Sequence, residues 1–347
     1  IALSLAYYLI PVKLLPLYGQ DLDSNPLTPP QVRVAVIAED LTWTLEMYTA
    51  LTHPAIYPSV LGPYANVTYA GRIPDGTTDC SSWLNDVKAS GARLLIHIFS
   101  GATGVPFIMQ WKALNVSALP VGINVMGQLQ SHWATTGGTC EYESILAFSG
   151  TRTPIIPGLT EVFWDNFVAL TGTWPLYTAW GAYDGIYGLK EAIEDIDTTD
   201  KDALVAYYEN PAYMRQGLNG IFKYTNSSAS RHDVVVYDLG PTWDYGFVRA
   251  FISQWTAERL EVVIPLDQVY SKKWAIPPNM YPLIEDINYD GKVDIKDVAL
   301  AAKAFGTVPG DPRWEKEADI NFDDKVDIKD IATIAKQFGT VISLPLP

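Results

Sequence analysis

The sequence of 347 residues is poor in the residue types that build catalytic and redox centres. It has two cysteines, Cys80 and Cys140, and four histidines. No nucleophile elbow, phosphate-binding loop or His-Glu-x-x-His zinc motif occurs. The glycines at 101 and 104 lack a lysine in the register of a phosphate loop, so they indicate a tight turn between a strand and a helix. We therefore predict that the protein is not an enzyme.

Basic residues are also scarce. There are 24 Lys and Arg against 39 Asp and Glu, which gives a formal charge of −15 and a pI near 4.6. This charge repels nucleic acid and anionic membrane surfaces, so neither is predicted as a partner. No stretch is long and apolar enough for a transmembrane helix. Residues 1–10 are apolar without basic flanks, which favours an amphipathic or buried helix cut from a longer chain.

A duplicated acidic segment stands near the C-terminus. Residues 286–307 and 319–340 are identical at 16 of 22 positions. Each copy places oxygen-bearing side chains at positions 1, 3, 5, 9 and 12 of a twelve-residue loop, with a backbone carbonyl at position 7, as Ca²⁺ requires. The sequence thus predicts two Ca²⁺ sites, with the ligands Asp286, Asn288, Asp290, Lys292, Asp294 and Asp297, and Asp319, Asn321, Asp323, Lys325, Asp327 and Asp330.

Each loop continues into a predicted helix, at 298–306 and 331–339, that ends on a glycine. The loop carries Asp rather than Glu at position 12, and no helix precedes the first loop. This pattern resembles the dockerin family, which implies a cohesin-like partner. The Ile-Lys pairs at 295–296 and 328–329 occupy positions that dockerins use for recognition, or else they pack against the chain's own body. Asp324 replaces the glycine at position 6, which predicts a strained or weaker second site.

The remainder of the chain alternates between strand and helix patterns. The β-branched run at 32–40 predicts a buried strand. The short alternating units that follow predict a parallel α/β sheet. The further predicted helices are 43–53, 80–90, 105–114, 160–172, 176–195 and 200–209, and the further predicted strands are 66–70, 93–99, 119–125, 234–237, 248–255 and 261–266.

The order of several short motifs carries a second resemblance. They are Val-Ala-Val-Ile-Ala-Glu-Asp-x-x-Trp at 34–43, Gly-Ile-Asn-Val at 122–125, the helix at 182–194 and His-Asp-Val-Val-Val at 232–236. Together they resemble the second half of a type I periplasmic binding protein, in particular the branched-chain amino-acid receptors of ABC transporters. The resemblance covers roughly 1–268, but about 120 residues of the first lobe are missing. The helices at 160–209 are therefore expected to expose an apolar face.

This resemblance implies a ligand cleft at the carboxyl ends of the strands, where backbone amides face a ligand carboxylate. By matched position the cleft loops are 40–44, 100–103 and 124–128. The implied ligand-binding residues are Trp43, Ser100, Gly101, Thr103, Asn124 and Gln128. The alternative is that Trp43 is a hydrophobic plug and that the others are caps.

The two resemblances predict an α/β fold, with type I periplasmic-binding-protein-like lobes on a parallel sheet and a small all-α dockerin-like module. The predicted segments are a first-lobe remnant at 1–30, a second lobe at 31–154, returning helices at 155–231, closing strands at 232–271, a Pro-rich linker at 272–285, the calcium module at 286–340 and an apolar tail at 341–347.

The compartment is predicted from acidity, calcium loops, cysteines and sequons. Cys80 and Cys140 are predicted to form a disulfide, with two free buried thiols as the alternative. Asn-x-Ser/Thr triplets make Asn66, Asn115 and Asn226 candidate glycosylation sites. Together these features favour an extracellular or cell-surface location.

Two functional hypotheses follow. The first is a secreted solute-binding protein for a small polar or amino-acid-like ligand, carrying a calcium-binding module. The second is a structural subunit of an extracellular filament or surface layer that reuses this scaffold. In both, the partner of the exposed helical face is the missing first-lobe segment or a neighbouring subunit.

Overall fold

The computed structural model describes residues 31–147, 152, 155–225, 232–234, 251–264, 285–287, 292–315, 318–321 and 323–341. Several predicted features lie outside these ranges. They are the segment 1–30, the strand at 235–237, the linker from 272 to 284, the tail at 342–347, Asn226, Asn288 and Asp290.

The body is organised on a seven-stranded sheet with the strand order β2-β1-β3-β4-β5-β8-β9. Strands β2, β1, β3, β4 and β5 are mutually parallel, as the alternation of strands and helices predicts. These strands are β1 (Val32–Glu39), β2 (Ala65–Ile73), β3 (Leu94–Phe99), β4 (Leu119–Asn124) and β5 (Ser144–Ala147). The helices between them are α1 (Thr42–Thr52), α2 (Tyr57–Leu61), α3 (Ser81–Ala89), α4 (Gly104–Ala113) and α5 (His132–Thr136), with a 3₁₀ turn at Met126–Gln128.

At the far edge of the sheet, two strands depart from the parallel arrangement that the alternation of strands and helices predicts. Strand β8 (Phe251–Thr256) runs antiparallel to β5, and β9 (Arg259–Ile264) runs antiparallel to β8. The two residues between β8 and β9, Ala257 and Glu258, have φ of +47° and +67°. Two consecutive positive φ angles are those of a tight hairpin turn, which reverses the chain directly. The usual Asn-Gly signal for that turn is absent, so the sequence pattern did not reveal it.

Apolar clusters cover both faces of the sheet. Successive residues of β1 point to opposite faces, with Val34 and Val36 in one cluster and Ala35 and Ile37 in the other. All four side chains are fully buried. Both faces of a parallel strand are therefore apolar, which explains the continuous run at 32–40.

Cys80 and Cys140 lie in the second of these clusters as free thiols, so the predicted disulfide is absent and the alternative of two buried thiols is correct. The backbone N–H of Cys80 donates to Gln110 Oε1 at 2.8 Å, at the start of α3, which fixes its position. Burial is the main cause that raises the pKa of Cys80 to about 11 and that of Cys140 to about 12. Both groups therefore remain protonated near neutral pH, and a thiol is far less easily oxidised than a thiolate.

Between β5 and β8 the chain makes a long helical excursion. It contains α6 (Thr160–Thr171), α7 (Tyr177–Ile196), α8 (Lys201–Glu209) and a hairpin of β6 (Arg215–Gly217) and β7 (Gly220–Phe222). An apolar cluster that includes Phe163 and Trp180 attaches it to Phe251 and Val262 of the closing strands. The outer side of these helices is apolar as expected, because Leu170 is 86% exposed and Ile186 is 68% exposed.

The C-terminal module is built on two similar loop-helix units. Helices α9 (Ile295–Ala304) and α10 (Ile328–Lys336) begin three residues earlier than predicted, because Asp294 and Asp327 each cap the helix in a reciprocal capping box. A separate apolar cluster, which includes Val293 and Val326, joins the two units. Across the described ranges, no helix combines the length and the apolar character needed to cross a bilayer.

Candidate ligand cleft and calcium loops

The predicted ligand residues cluster at the carboxyl ends of β1, β3 and β4, where ligands bind in open parallel sheets. A cavity of about 250 Å³ opens at this edge. Of the six predicted residues, Trp43, Ser100 and Gln128 line it. The other lining residues, which the sequence analysis did not include, are Ile123, Val125, Leu146 and Tyr177.

The lining residues that the sequence did not indicate lie in different parts of the fold. Ile123 and Val125 lie at the end of β4, within the Gly-Ile-Asn-Val motif, so their position alone was a usable signal. Tyr177 is the first residue of α7, in the helical excursion. It lines the cavity together with residues at the strand ends, a long-range contact that no local sequence pattern predicts. The cavity is therefore formed jointly by the sheet edge and the returning helices.

Trp43 is held by a hydrogen bond rather than packed as a plug. Its indole Nε1 donates to Ser100 Oγ at 3.3 Å, and the Ser100 hydroxyl donates to Glu39 Oε2 at 2.8 Å. The ring remains partly exposed at 44%, which fits a surface that meets a ligand better than one filled by the core. The hydroxyl of Ser100 thus orients the aromatic wall of the cavity.

Glu39, the last residue of β1, has a role that the sequence analysis missed. Its side chain is fully buried. The carboxylate accepts the backbone N–H of Ser100 at 2.7 Å and that of Gly101 at 3.0 Å, in addition to the Ser100 hydroxyl. The amides that were expected to face a ligand carboxylate are therefore taken by the chain's own carboxylate. The acidic end of the run at 32–40 was the available signal.

Two further predicted residues serve the scaffold instead of the cavity. Thr103 is fully buried, and its Oγ1 accepts the backbone N–H of Gly76 at 3.0 Å. Asn124 is also fully buried and donates from Nδ2 to Glu143 Oε1 at 2.7 Å. Neither side chain lines the cavity. For these two residues and for Gly101, the alternative of structural caps fits the geometry.

Gln128 contributes the polar group of the cavity. It is 7% exposed, and its Oε1 has no hydrogen-bond partner among the described residues. A buried acceptor without a donor costs roughly 1–3 kcal/mol. Such a group in a cavity wall is the kind of feature that a ligand donor would satisfy.

A buried network surrounds the carboxylate of Glu143, the residue before β5. Glu143 is fully buried, with His132 Nε2 at 2.8 Å from Oε2 and His97 Nε2 at 3.4 Å from Oε1. Burial alone would raise the pKa of Glu143, but the interactions with the two imidazoles outweigh it and lower the pKa to about 2. The network joins side chains of β3 and α5 with Asn124 at the end of β4 through one carboxylate.

All six predicted ligands of the second calcium loop lie within the described ranges. Asp330 Oδ1 accepts the backbone N–H of Ile320 at 2.9 Å, which folds position 12 back on the start of the loop. Burial raises the pKa of Asp319, and the nearby charges of Asp330 and Asp323 raise it further. Concentrated carboxylates are the hard oxygen donors that Ca²⁺ prefers, so this donor set fits the ion.

Across the described ranges, no three His, Cys, Asp or Glu side chains come together closely enough to hold a metal ion. In the second loop, Asp319 Oδ1 and Oδ2 accept the backbone N–H groups of Asp323 at 3.1 Å and Asp324 at 2.9 Å. Lys329 Nζ lies 3.2 Å from Asp323 Oδ2. In the first loop, Asp286 and Asp297 are fully buried.

Position 6 of the second loop has a backbone conformation that is energetically unfavourable for a residue other than glycine. Asp324 adopts φ of +59° in the left-handed region. A residue with a Cβ is disfavoured there relative to glycine, although Asp tolerates it better than most. The expected unusual backbone angle at Asp324 is thus present.

The candidate glycosylation sites differ in their environments. Asn115 is exposed in the turn after α4, whereas Asn66 lies half-buried within strand β2. Asn115 is therefore the more accessible acceptor.

The comparisons with known proteins support both resemblances. Residues 284–339 match the family model of the dockerin type I domain. Dockerin domains bind calcium and cohesins in general. No curated protein matches the sequence.

The structural relatives are solute-binding proteins of ABC transporters. A putative branched-chain amino acid ABC transporter from Silicibacter pomeroyi has a TM-score of 0.56 and 13% identity, over 72% of this chain and 62% of that one. A solute-binding protein from R. palustris, solved with benzoate, has a TM-score of 0.52 and 13% identity, over 67% and 58% of the two chains. A type 1 periplasmic binding protein from Bordetella pertussis Tohama I has a TM-score of 0.50 and 16% identity, over 66% and 60%.

This chain spans less than two thirds of the length of each of these relatives. At these identities the likeness concerns the fold alone. The body of the chain therefore has the fold of type I periplasmic binding proteins, and a match to the dockerin type I domain follows it at residues 284–339.

Proposed function

We propose that this chain is an extracellular solute-binding protein that captures a small molecule in the cleft and attaches to a cohesin-like partner through a calcium-loaded dockerin module. The observation that carries the proposal is the cavity at the carboxyl ends of the parallel strands. The residues Trp43, Ser100 and Gln128, from three different loops, meet there with Tyr177 of the returning helix. Solute-binding proteins among the structural relatives, including one solved with benzoate, support a small-molecule ligand.

Attachment through the C-terminal module is supported by its exposed isoleucines. Ile295 and Ile328 begin the two helices, and each is 66% exposed. This exposure favours a docking surface over packing against the chain's own body, the alternative that the sequence left open. Burying one isoleucine against a partner contributes about 1.5–3 kcal/mol, so the pair suits a docking surface.

In this proposal Ca²⁺ is held by the twelve loop residues named from the sequence. The ion would neutralise their charges and fix the loops that position α9 and α10. The body has no visible catalytic machinery, and its structural relatives are binding proteins. An extracellular location rests on the dockerin match and the acidic composition, because the absent disulfide removes one argument for it.

The first experiment is a screen of small aromatic and amino-acid-like molecules against the full chain by ligand-observed NMR. Binding of at least one compound with Kd below about 1 mM is expected, and Trp43→Ala should weaken it about tenfold or more by removing an aromatic wall. Leu45→Ala, on the exposed side of the same helix and outside the cavity, is the matched control and should bind as the wild type does. Equal loss in both variants would contradict the assignment of the cleft.

A second experiment tests the module. Immobilised cohesins should retain the chain in millimolar Ca²⁺ and release it on chelation. The double variant Ile295→Ala/Ile328→Ala should bind at least about tenfold more weakly, and retention of full affinity by this variant would refute the docking surface.

The filament or surface-layer subunit remains the second candidate, because the helical excursion exposes Leu170 and Ile186. A neighbouring subunit could cover that face. Native mass measured with and without a chelator separates the two functions. A polymer that dissociates on chelation favours the structural role, and a monomer favours solute binding.

A further inference from the structure

The carboxylate of Glu39 accepts the hydrogen bonds that a ligand carboxylate in the cleft would need. The backbone N–H groups of Ser100 and Gly101 follow β3 and face Glu39, which accepts both. Glu39 is fully buried, so it is not displaced without opening the sheet edge. The Ser100 hydroxyl also donates to Glu39. The Glu39 side chain therefore accepts hydrogen bonds from three donors, as expected for a carboxylate, which can only accept.

The remaining walls of the cavity are apolar or aromatic. Ile123, Val125 and Leu146 contribute aliphatic side chains, and Trp43 and Tyr177 contribute aromatic rings. No lysine, arginine or histidine is among the described lining residues. Among the described lining residues, Gln128 provides a buried acceptor, Oε1, that has no hydrogen-bond partner.

We propose that the cleft selects an uncharged, ring-bearing molecule that donates an N–H or O–H to Gln128 Oε1, and that Glu39 excludes carboxylates. This inference rests on the proposed solute-binding function and names the ligand class of the same site. The cavity of about 250 Å³ exceeds the roughly 150 Å³ that encloses benzene, so a ring with one or two small substituents fits. Apolar walls with a few placed polar groups are typical of small-molecule sites.

The exclusion follows from charge and desolvation. A carboxylate that enters the cavity loses its hydration, and the described lining offers no cation to replace it. The negative charge of Glu39 lies directly behind Ser100, where low polarity strengthens repulsion. A neutral amide or hydroxyl loses much less hydration free energy than a carboxylate, and it gains the hydrogen bond to Gln128.

The test compares benzamide with benzoate, two probes of nearly equal shape that differ in charge at pH 7. Both are titrated against the full chain by ligand-observed NMR. Benzamide should bind about tenfold or more tightly than benzoate, since charge repulsion and the missing donor act together. Equal affinity, or a preference for benzoate, overturns the inference.

Two variants identify the cause. Glu39→Gln keeps the size and an acceptor for Ser100 but removes the charge, so the ratio of benzoate affinity to benzamide affinity should rise by about tenfold relative to the wild type. Gln128→Met keeps the volume but removes the acceptor, so benzamide should lose about two- to tenfold. Circular dichroism confirms the fold of each variant. If Glu39→Gln does not fold, the Gln128→Met result decides, and unchanged benzamide affinity in that variant refutes the assignment.

Failure of this inference differs from failure of the proposed function. If carboxylates bind in the cleft and Trp43→Ala weakens them, the protein binds solutes but the charge rule is wrong. If neither probe nor any screened compound binds the wild type, the solute-binding function itself is wrong.

Discussion

The substitution Glu143→Gln tests the buried network around this carboxylate. Glu143 is fully buried and contacts His132 and Asn124 at 2.8 Å and 2.7 Å, with His97 at 3.4 Å. These imidazoles lower its pKa from the ordinary 4.5 to about 2, against the opposing effect of burial. A change of one pKa unit corresponds to about 1.4 kcal/mol. The interactions of the charged form therefore contribute about 3 kcal/mol to the free energy of unfolding.

The sign of the pH dependence follows from the lowered pKa. A carboxyl whose pKa is lower in the folded state stabilises the fold fully above its unfolded pKa, near 4.5, and loses that contribution as the pH falls toward 2. Between pH 7 and pH 3 the wild type should lose about 2 kcal/mol from this group alone. Glu143→Gln has no such charge to lose.

The assay is urea unfolding followed by tryptophan fluorescence at pH 7 and pH 3. Glu143→Gln should be about 3 kcal/mol less stable than the wild type at pH 7, and the difference should shrink to about 1 kcal/mol at pH 3. Glu46→Gln, on the exposed side of α1, is the control and should change stability by less than about 0.5 kcal/mol at both pH values. A difference between wild type and Glu143→Gln that is small at pH 7, or that does not narrow at pH 3, would refute this account.

Three further outcomes are expected. Asp324→Gly should bind Ca²⁺ at the second loop about fivefold more tightly by calorimetry, because glycine adopts the left-handed conformation at about 1 kcal/mol less cost. Cys80 and Cys140 should both resist a thiol reagent in the native protein and both react after unfolding, and reductant should leave the melting temperature unchanged. Gly122→Ala should destabilise the chain by about 3 kcal/mol or more in denaturant unfolding, because its Cβ would stand 1.8 Å from the carbonyl oxygen of His97. Gly181→Ala, with open space around the new Cβ, should instead stabilise helix α7 by up to about 1 kcal/mol.

The Ca²⁺ prediction has a matched control, and each of the three outcomes has a result that would contradict it. The reciprocal change Gly291→Asp should weaken the first loop by a factor similar to the gain at Asp324, and no change in either loop would mean that position 6 does not limit affinity. Rapid reaction of either native thiol, or an intact mass two protons below that of the reduced chain, would contradict the free buried thiols. If Gly122→Ala leaves the free energy of unfolding unchanged, β3 and β4 can move apart without a loss of stability, which contradicts this prediction.

The sequence predicted the elements whose signals are local. The continuous β-branched run gave β1 to within a residue, and apolar periodicity gave α6, α7 and α8. The duplicated loop-helix units were visible because the same spacing occurs twice, although their aspartate caps were not predicted and the helices begin three residues earlier. In each case the property that shapes the element resides in neighbouring residues.

The missed features depend on contacts between distant residues. The antiparallel edge required knowing that Ala257 and Glu258 form a tight turn without the usual residues. The role of Glu39 required knowing that the residues after β3 lie beside the end of β1, 61 residues earlier than Ser100 in sequence. The disulfide failed as a prediction because a count of two cysteines gives no information about how they are placed.

The pairing of β5 with β8 has a consequence for how the chain folds. Ser144 pairs with Gln254, a separation of 110 residues along the sequence. Strands β1 to β4 join through short crossovers and can assemble early, whereas the last two strands must await closure of a very long loop, which slows folding. We expect the edge of β5 to stay unpaired during synthesis until that closure. A ribosome-bound chain halted before residue 251 should therefore expose this edge, where chaperones and aggregation compete with completion of the sheet.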